Sequence, residues 1–408
     1  HLMDEQEAIT KAQALLNRPG DANVSPLAVY RHAAKADSVQ QRRPNVVLIM
    51  MESMSAKFMK HFGQSETLTP FLDSLYTRSI SFRNFYSAGI HTNHGLYATL
   101  YSFPAMMKRN LMKGSVIPRY SGLPTVLKEN GYYNLFFMTH EGQYDNMNAF
   151  FRTNGYDEVF SQEDYPADKV VNSFGVQDDF LYDYAIPVLN QRAATGQPFF
   201  ATLLSISNHP PYVIPPFFHP KTSEPETQIV EYADWALRQF FEEARKQPWF
   251  DNTIFVLEGD HGKLVGDAEC ELPESYNHIP LMIYSSRIQP EEKTTFGGQV
   301  DIQPTILGLL NIDYLQNNFG VDLLKEERPC MFYTADNMVV GRNDTLLYLY
   351  NYETQQELTY DIGNGKLNAV PMDDSFLPLK EYSFSMLQSA EFLVKHGKTL
   401  NSIPFTQQ

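Results

Sequence analysis

The chain has 408 residues, 43% of them hydrophobic, and sets 32 Lys and Arg against 48 Asp and Glu for a formal net charge of -16. This length and apolar content exclude a disordered chain and suit one large domain with a smaller appendage, while the acidic balance excludes nucleic acid as a partner, because binding phosphate backbones needs clustered Lys and Arg. No run approaches the roughly 18 to 20 apolar residues of a transmembrane helix, and no N-terminal segment has the layout of a signal peptide.

In chain order, His1-Leu2-Met3 reads as a cloning remnant, so the natural protein is expected to begin upstream of this sequence, where any membrane segments would lie. Helical spacing runs from Asp4 to about Leu16, Pro19-Gly20-Asp21 breaks it, and a second helical stretch is predicted from Leu27 to about Val39. Residues 1–44 are therefore expected to form a helical lead-in arm. The body of the chain, residues 45–325, alternates short apolar runs with helical patterns, which predicts an α/β domain around a mostly parallel sheet sandwiched by helices.

The apolar runs share one property. Asn45-Val-Val-Leu-Ile-Met-Met ends on Glu52, Thr253-Ile-Phe-Val-Leu-Glu-Gly on Asp260-His261-Gly262, Asn134-Leu-Phe-Phe-Met-Thr on His140, and Phe199 to Ser207 on Asn208-His209; Ile279-Pro-Leu-Met-Ile-Tyr follows His278. Ligands of open α/β sheets bind beyond the carboxyl ends of the strands, so these polar ends are expected to share a rim. Helices are predicted at Thr69 to Tyr76 and Leu123 to Asn130, the second with Pro near its start and Gly131 past its end. Beyond Pro329 short alternating runs at 330–334, 338–342 and 345–352, with turns at Arg342-Asn-Asp and Gly363-Asn-Gly365, predict a small antiparallel subdomain over 326–408, closed by a helix from about Pro378 to Lys395.

Two carboxylates and one imidazole make a competent donor set for Mn²⁺, Mg²⁺ or Zn²⁺. Asp260 and His261 converge only where the strand yields to a turn, which Gly262 permits. Thr92, in the Gly-flanked turn Ser87 to Ala98, stands where a helix begins. A hydroxyl there sits among orphan N–H groups, and a bound metal would lower its pKa. The plainer readings are that Thr92 or Asn93 caps that helix, that Glu52 and Asp260 cap turns, and that His209 is structural. Cys270 and Cys330 form one bridge or none, and free thiols are the expectation.

Taken together, Met51-Glu52-Ser53, the Thr92 turn, Gly175-Val-Gln-Asp178, Ser207-Asn-His-Pro-Pro-Tyr212, Glu258-Gly-Asp-His-Gly262 and Val300 to Ile312 resemble, in this order, the sulfatase-like branch of the alkaline phosphatase superfamily, most of all the extracellular domain of lipoteichoic acid synthases and related phosphoglycerol transferases. The resemblance implies one divalent metal, usually Mn²⁺, held by Glu52, Thr92, Asp260 and His261, with Thr92 as nucleophile. It places His209 at the substrate, and His140, Asn93 and His278 are added as substrate-binding candidates. It also implies a phospholipid donor, a glycan or lipid acceptor, and an extracytoplasmic location. Two departures bear on this. A sulfatase turn carries a Cys or Ser convertible to formylglycine, followed by Pro and Arg, whereas this one reads Thr92-Asn93-His94-Gly95. The stretch His140 to Phe150 has no Trp and no Arg, residues that contact glycerophosphate in the synthases. A phosphoethanolamine transferase, a phosphoester or sulfate ester hydrolase, and an inactive head-group-binding member are the alternatives.

Overall fold

A computed structural model describes residues 1–18, 29–33, 36, 43–107 and 109–401. Eight strands form the central sheet: β1 Asn45–Met51, β2 Ile80–Tyr86, β3 Tyr133–Phe137, β4 Glu158–Phe160, β5 Phe199–Leu204, β6 Thr253–Gly259, β7 Leu281–Tyr284 and β8 Glu291–Gly298. Their spatial order is β8-β2-β7-β6-β1-β5-β3-β4. β1 pairs in parallel with β5 and β6, β3 in parallel with β5 and β4, and β8 in parallel with β2; β7 alone runs against its neighbours. The mostly parallel α/β architecture expected from the apolar runs is the one observed.

Every residue of β1 and β6 is buried, as strands covered on both faces require. Successive side chains alternate between faces: Val46, Leu48 and Met50 pack with Leu96, Leu100, Val126 and Ile306, while Val47, Ile49 and Met51 pack with Leu72, Leu181, Leu189 and Leu237. Each such aliphatic side chain contributes about 1.5–3 kcal/mol on burial, so the pairing register is firmly held. That register sets Met51 beside Gly259. The next residues, Glu52 and Asp260, therefore leave the sheet side by side.

The helix Glu5–Leu16 forms as expected, with Asp4 accepting from the Glu7 N–H at 3.0 Å as its cap. The helix expected over 27–39 does not match what is described there. Tyr30–Ala33 is a strand paired antiparallel with Tyr314–Asn317, and apart from Val29 and Ala36 the rest of that stretch lies outside the described residues. Its partner is nearly three hundred residues away, so tertiary pairing overrides a locally helical pattern. Helices Pro70–Thr77 and Leu123–Glu129 fall where the sequence places them, the latter followed by Gly131 at φ +87°.

A second sheet of five antiparallel strands spans Met331–Ala335, Met338–Arg342, Leu346–Asn351, Glu357–Gly363 and Lys366–Ala369. The last two join through Asn364 and Gly365, both at positive φ, the signature of a tight hairpin. Helix Leu377–Lys395 packs on the first two strands and on Glu5–Leu16. Arg328, buried, fastens this region to the main domain through Asp301, Tyr382 Oη and the Phe319 carbonyl. Cys270 and Cys330 are both free. Among the described residues no helix is long and apolar enough to cross a membrane.

Candidate active site

Three side chains converge where β1 and β6 end. Glu52, Asp260 and His261 each bring one donor atom into a group whose members lie within 4.8 Å of one another. Thr92 completes it: its Oγ lies 2.9 Å from Asp260 Oδ2 and 3.1 Å from Glu52 Oε2. The hydroxyl is not used as a cap. His91 is the N-cap of helix Thr92–Tyr101 and Thr92 its first residue, with no side-chain capping bond.

Local structure holds each member rigidly. Asp260 Oδ1 accepts from the N–H groups of Ser53 (2.8 Å) and His261 (2.7 Å), and the Asp260 N–H donates to the Met51 carbonyl at 3.0 Å. Ser53, at φ +52°, donates its hydroxyl to Glu52 Oε1 at 2.9 Å, while Ser205 Oγ accepts the Glu52 N–H. Gln299 Nε2 donates to the carbonyls of Gly259 and Asp260. Gly262 is needed for a close approach and not for a left-handed turn: a Cβ there would lie 2.0 Å from the Ser275 carbonyl oxygen. Gly95 plays the same part in the helix that begins at Thr92, since a Cβ would lie 2.3 Å from the Asp260 carbonyl oxygen. The Thr-Asn-His-Gly spacing carried that signal one helical turn after Thr92.

The donor set fits a divalent cation. Thr92 has one hydroxyl hydrogen yet faces two carboxylate oxygens. His261 pairs Nδ1 with the Gly262 carbonyl at 2.7 Å, which turns Nε2 to Glu52 Oε1 at 3.4 Å and Asp260 Oδ1 at 3.6 Å. An Nδ1–H tautomer would aim the Nε2 lone pair at two anionic oxygens, which a cation relieves and which is how metal-bound histidines are commonly oriented. Without a cation the group shares protons instead. Burial and the neighbouring Glu52 push the Asp260 carboxyl well up; burial lowers His261, but Asp260 and Glu52 outweigh it and raise it to about 10; burial opposes ionisation of Glu52, but His261 outweighs it and holds that carboxyl well below its ordinary value.

The remaining expected residues divide. His209 lies within electrostatic reach of Glu52, packs on Phe174 at 4.1 Å between ring centres, and has Nδ1 2.6 Å from the Pro210 carbonyl oxygen. His140 also feels Glu52; burial lowers its pKa, and its ring leans on Tyr144. Asn93 keeps a buried Oδ1 without a hydrogen-bond partner among the described residues. His278 is not brought to this group: it bridges Tyr86, pairs Nε2 with the Arg83 carbonyl at 2.8 Å and packs against Phe62. Its nearest charged neighbours are Glu274, Arg342 and Arg83. Because β7 is antiparallel, its start lies at the same edge as the carboxyl ends of β6 and β2, but the His278 ring is engaged by Arg83, Phe62 and Tyr86 and does not join the Glu52, Asp260 and His261 group.

Sequence reasoning missed Lys263, whose Nζ donates to Asn208 Oδ1 at 2.6 Å and Tyr212 Oη at 2.9 Å; burial pushes its pKa down to about 8. It also left Asp178 without a task. Asp178 Oδ1 accepts from the N–H groups of Ile206 (2.8 Å) and Ser207 (3.0 Å), fixing the loop that carries Asn208 and His209. Gly175, three residues before it, sits at φ +90° with its α-carbon against the Thr139 carbonyl.

The model of the family described as Sulfatase matches residues 44–312, more than half of the sequence. The chain belongs to the sulfatase family. Within the family it is 25% identical over 350 residues to lipoteichoic acid synthase 1 of Bacillus subtilis, covering 79% of this chain and 53% of that one. To phosphoglycerol transferase I of Xanthomonas campestris it is 26% identical over 322 residues, covering 74% and 46%. This sulfatase-family chain thus spans about half the length of the curated relatives it matches. Among solved structures, a protein in the alkaline phosphatase superfamily from Vibrio parahaemolyticus superposes with a TM-score of 0.86 at 26% identity, covering 98% of both chains. The lipoteichoic acid synthase LtaP from Listeria monocytogenes shares the fold, with a TM-score of 0.73 at 22% identity over 87% of this chain and 93% of that one. The superfamily is metal-dependent and its members are phosphoester transferases or hydrolases, in keeping with the donor set described.

Proposed function

We propose that this chain is the catalytic part of a phosphoglycerol transferase that acts on the outer face of a membrane. It moves glycerophosphate from a phosphatidylglycerol-like lipid to a glycan or lipid acceptor through a phosphothreonine at Thr92. The observation that carries the reading is the position of Thr92: its hydroxyl heads a helix and meets both Asp260 and Glu52. Glu52, Thr92, Asp260 and His261 would hold a single divalent ion, Mn²⁺ being the reading with Mg²⁺ and Zn²⁺ as substitutes. When bound, it supplies positive charge that favours the ionised threonine and offsets charge on the phosphoryl group.

In the first step Thr92 Oγ gives up its proton along the bond to Asp260 Oδ2 and attacks phosphorus. The Oγ–P bond forms as the P–O bond to diacylglycerol breaks, its electron pair leaving on the diacylglycerol oxygen, which takes a proton. His209, with Nδ1 engaged by Pro210, has Nε2 free of protein partners among the described residues to donate at that oxygen. In the second step an acceptor hydroxyl gives its proton to His209 Nε2, which lost one in the first step, and attacks phosphorus; the P–Oγ bond breaks and Thr92 recovers its proton from Asp260 Oδ2. Helix N–H groups behind Thr92 favour the anionic ester. Two inversions retain configuration at phosphorus.

The turn Thr92-Asn93-His94-Gly95 offers no residue for formylglycine, which counts against sulfate ester hydrolysis. Free Cys270 and Cys330 count against the disulfide-bearing phosphoethanolamine transferases. The experiment is release of diacylglycerol from phosphatidylglycerol by Mn²⁺-loaded protein. Release should need both Mn²⁺ and Thr92, and a Thr92→Ala variant that releases diacylglycerol at the parent rate refutes the assignment. Release without transfer to any offered alcohol would instead make the protein a hydrolase.

A further inference from the structure

Lys263 is a half-buried ammonium group with no carboxylate in ion-pair contact among the described residues. Side chains of this kind are rarely buried unless paired. Its place is nonetheless fixed from several directions. The Lys263 N–H donates to Ser55 Oγ at 2.8 Å, and that hydroxyl lies 3.0 Å from the Lys263 carbonyl oxygen and 2.7 Å from that of Ser275. Nζ stands 4.7 Å from the ring centre of Tyr212 and 5.6 Å from that of Phe58. Two of its three hydrogens go to Asn208 Oδ1 and Tyr212 Oη, both neutral, and one remains.

The tether runs into the site. Asn208 donates its amide to the Ser53 carbonyl at 3.1 Å, so Lys263 is strung between the neighbour of Glu52 and the neighbour of His209. Charge arithmetic gives it a task. Glu52, Asp260 and an ionised Thr92 outweigh one divalent ion by a single negative charge, and a phosphodiester adds another. The stretch from His140 to Phe150 contains no Lys or Arg to offset them. A preorganised cation that needs no rearrangement on binding is the arrangement that best stabilises such charge.

We infer that Lys263 is the specificity-determining cation of this site: its remaining N–H binds a non-bridging oxygen of the phosphoryl group, in a position flanked by His209 and Asn208. This rests on the phosphotransfer reading above. The test uses Thr92→Ala protein loaded with Mn²⁺, in which no turnover intervenes, titrated with inorganic phosphate by calorimetry. A Lys263→Met exchange in that background should weaken phosphate binding at least tenfold and leave Mn²⁺ affinity within threefold. Lys263→Arg should restore phosphate binding to within threefold, a rescue that a purely structural tie to Asn208 and Tyr212 would not require. Unchanged phosphate affinity in Lys263→Met overturns the inference, as does a loss of Mn²⁺ affinity parallel to that of phosphate, or no rescue by Arg when the melting temperature is that of the parent. If the Mn²⁺-loaded parent binds no phosphate, the phosphotransfer reading itself falls, an outcome distinct from failure of the Lys263 variant alone.

Discussion

Replacing Gly95 by Ala tests whether Thr92, the proposed nucleophile, is placed by helix packing. The new Cβ would lie 2.3 Å from the Asp260 carbonyl oxygen and 3.1 Å from Gln299 Nε2, whereas ordinary contact begins near 3.4 Å. Both neighbours are held, the first as backbone at the end of β6 and the second by bonds to Gly259 and Asp260. The helix must therefore withdraw by about 1 Å, overpacking that costs about 1–3 kcal/mol. Against this, Ala favours the helix by about 1 kcal/mol over Gly, so stability changes little. Activity does not escape: withdrawal opens the 2.9 Å approach of Thr92 to Asp260, and misplacement of a reacting group by 1 Å costs on the order of 100-fold in rate. Diacylglycerol release should fall by about that factor, and Mn²⁺ affinity should fall with it, while the melting temperature stays within a few degrees. A Gly95→Ala protein with rate and Mn²⁺ affinity within threefold of the parent refutes the reasoning.

Asp178→Ala leaves the Ile206 and Ser207 N–H groups without their acceptor, each at about 1–3 kcal/mol; thermal melting should drop and KM for the lipid rise with Mn²⁺ affinity preserved, and an unchanged KM contradicts the positioning role. Arg328→Ala strands buried Asp301 and unties the C-terminal helix, a loss of about 3–5 kcal/mol, to be read as a lower melting temperature. Burial pushes the Asp234 carboxyl up from about 3.8 to about 7 even though the Phe71 and Leu72 N–H groups donate to it. The folded state then holds this proton more tightly than the unfolded state. Its stabilising contribution is complete below about pH 4 and is lost as pH rises through about 7. Asp234→Asn should flatten the fall in melting temperature across that window, and an unaltered slope contradicts it.

The convergence of Glu52 and Asp260 was legible because parallel strands expose their last residues along one edge: the two follow β1 and β6, whose register sets them adjacent. His140 and His209 follow β3 and β5 on the same edge. His278 stands on this edge too, because β7 is antiparallel and begins beside the end of β6, but its ring is taken up by the Arg83 carbonyl, Phe62 and Tyr86, contacts that local spacing does not announce. Lys263 escaped notice because a lysine after a glycine has no pattern of its own; its meaning comes from Asn208 and Tyr212, brought in from another strand. The strand Tyr30–Ala33 was read as helix since its partner, Tyr314–Asn317, cannot be inferred from local spacing. The weakly buried Glu357–Gly363 and Lys366–Ala369 carry too little alternation to stand out, although Gly363-Asn-Gly365 announced the turn between them.

The most direct measurement is the intact mass of Mn²⁺-loaded protein during incubation with phosphatidylglycerol, followed by peptide mapping. The account predicts a glycerophosphoryl adduct confined to the peptide holding Thr92 and absent from Thr92→Ala. An adduct on any other residue, or one that persists in Thr92→Ala, contradicts it.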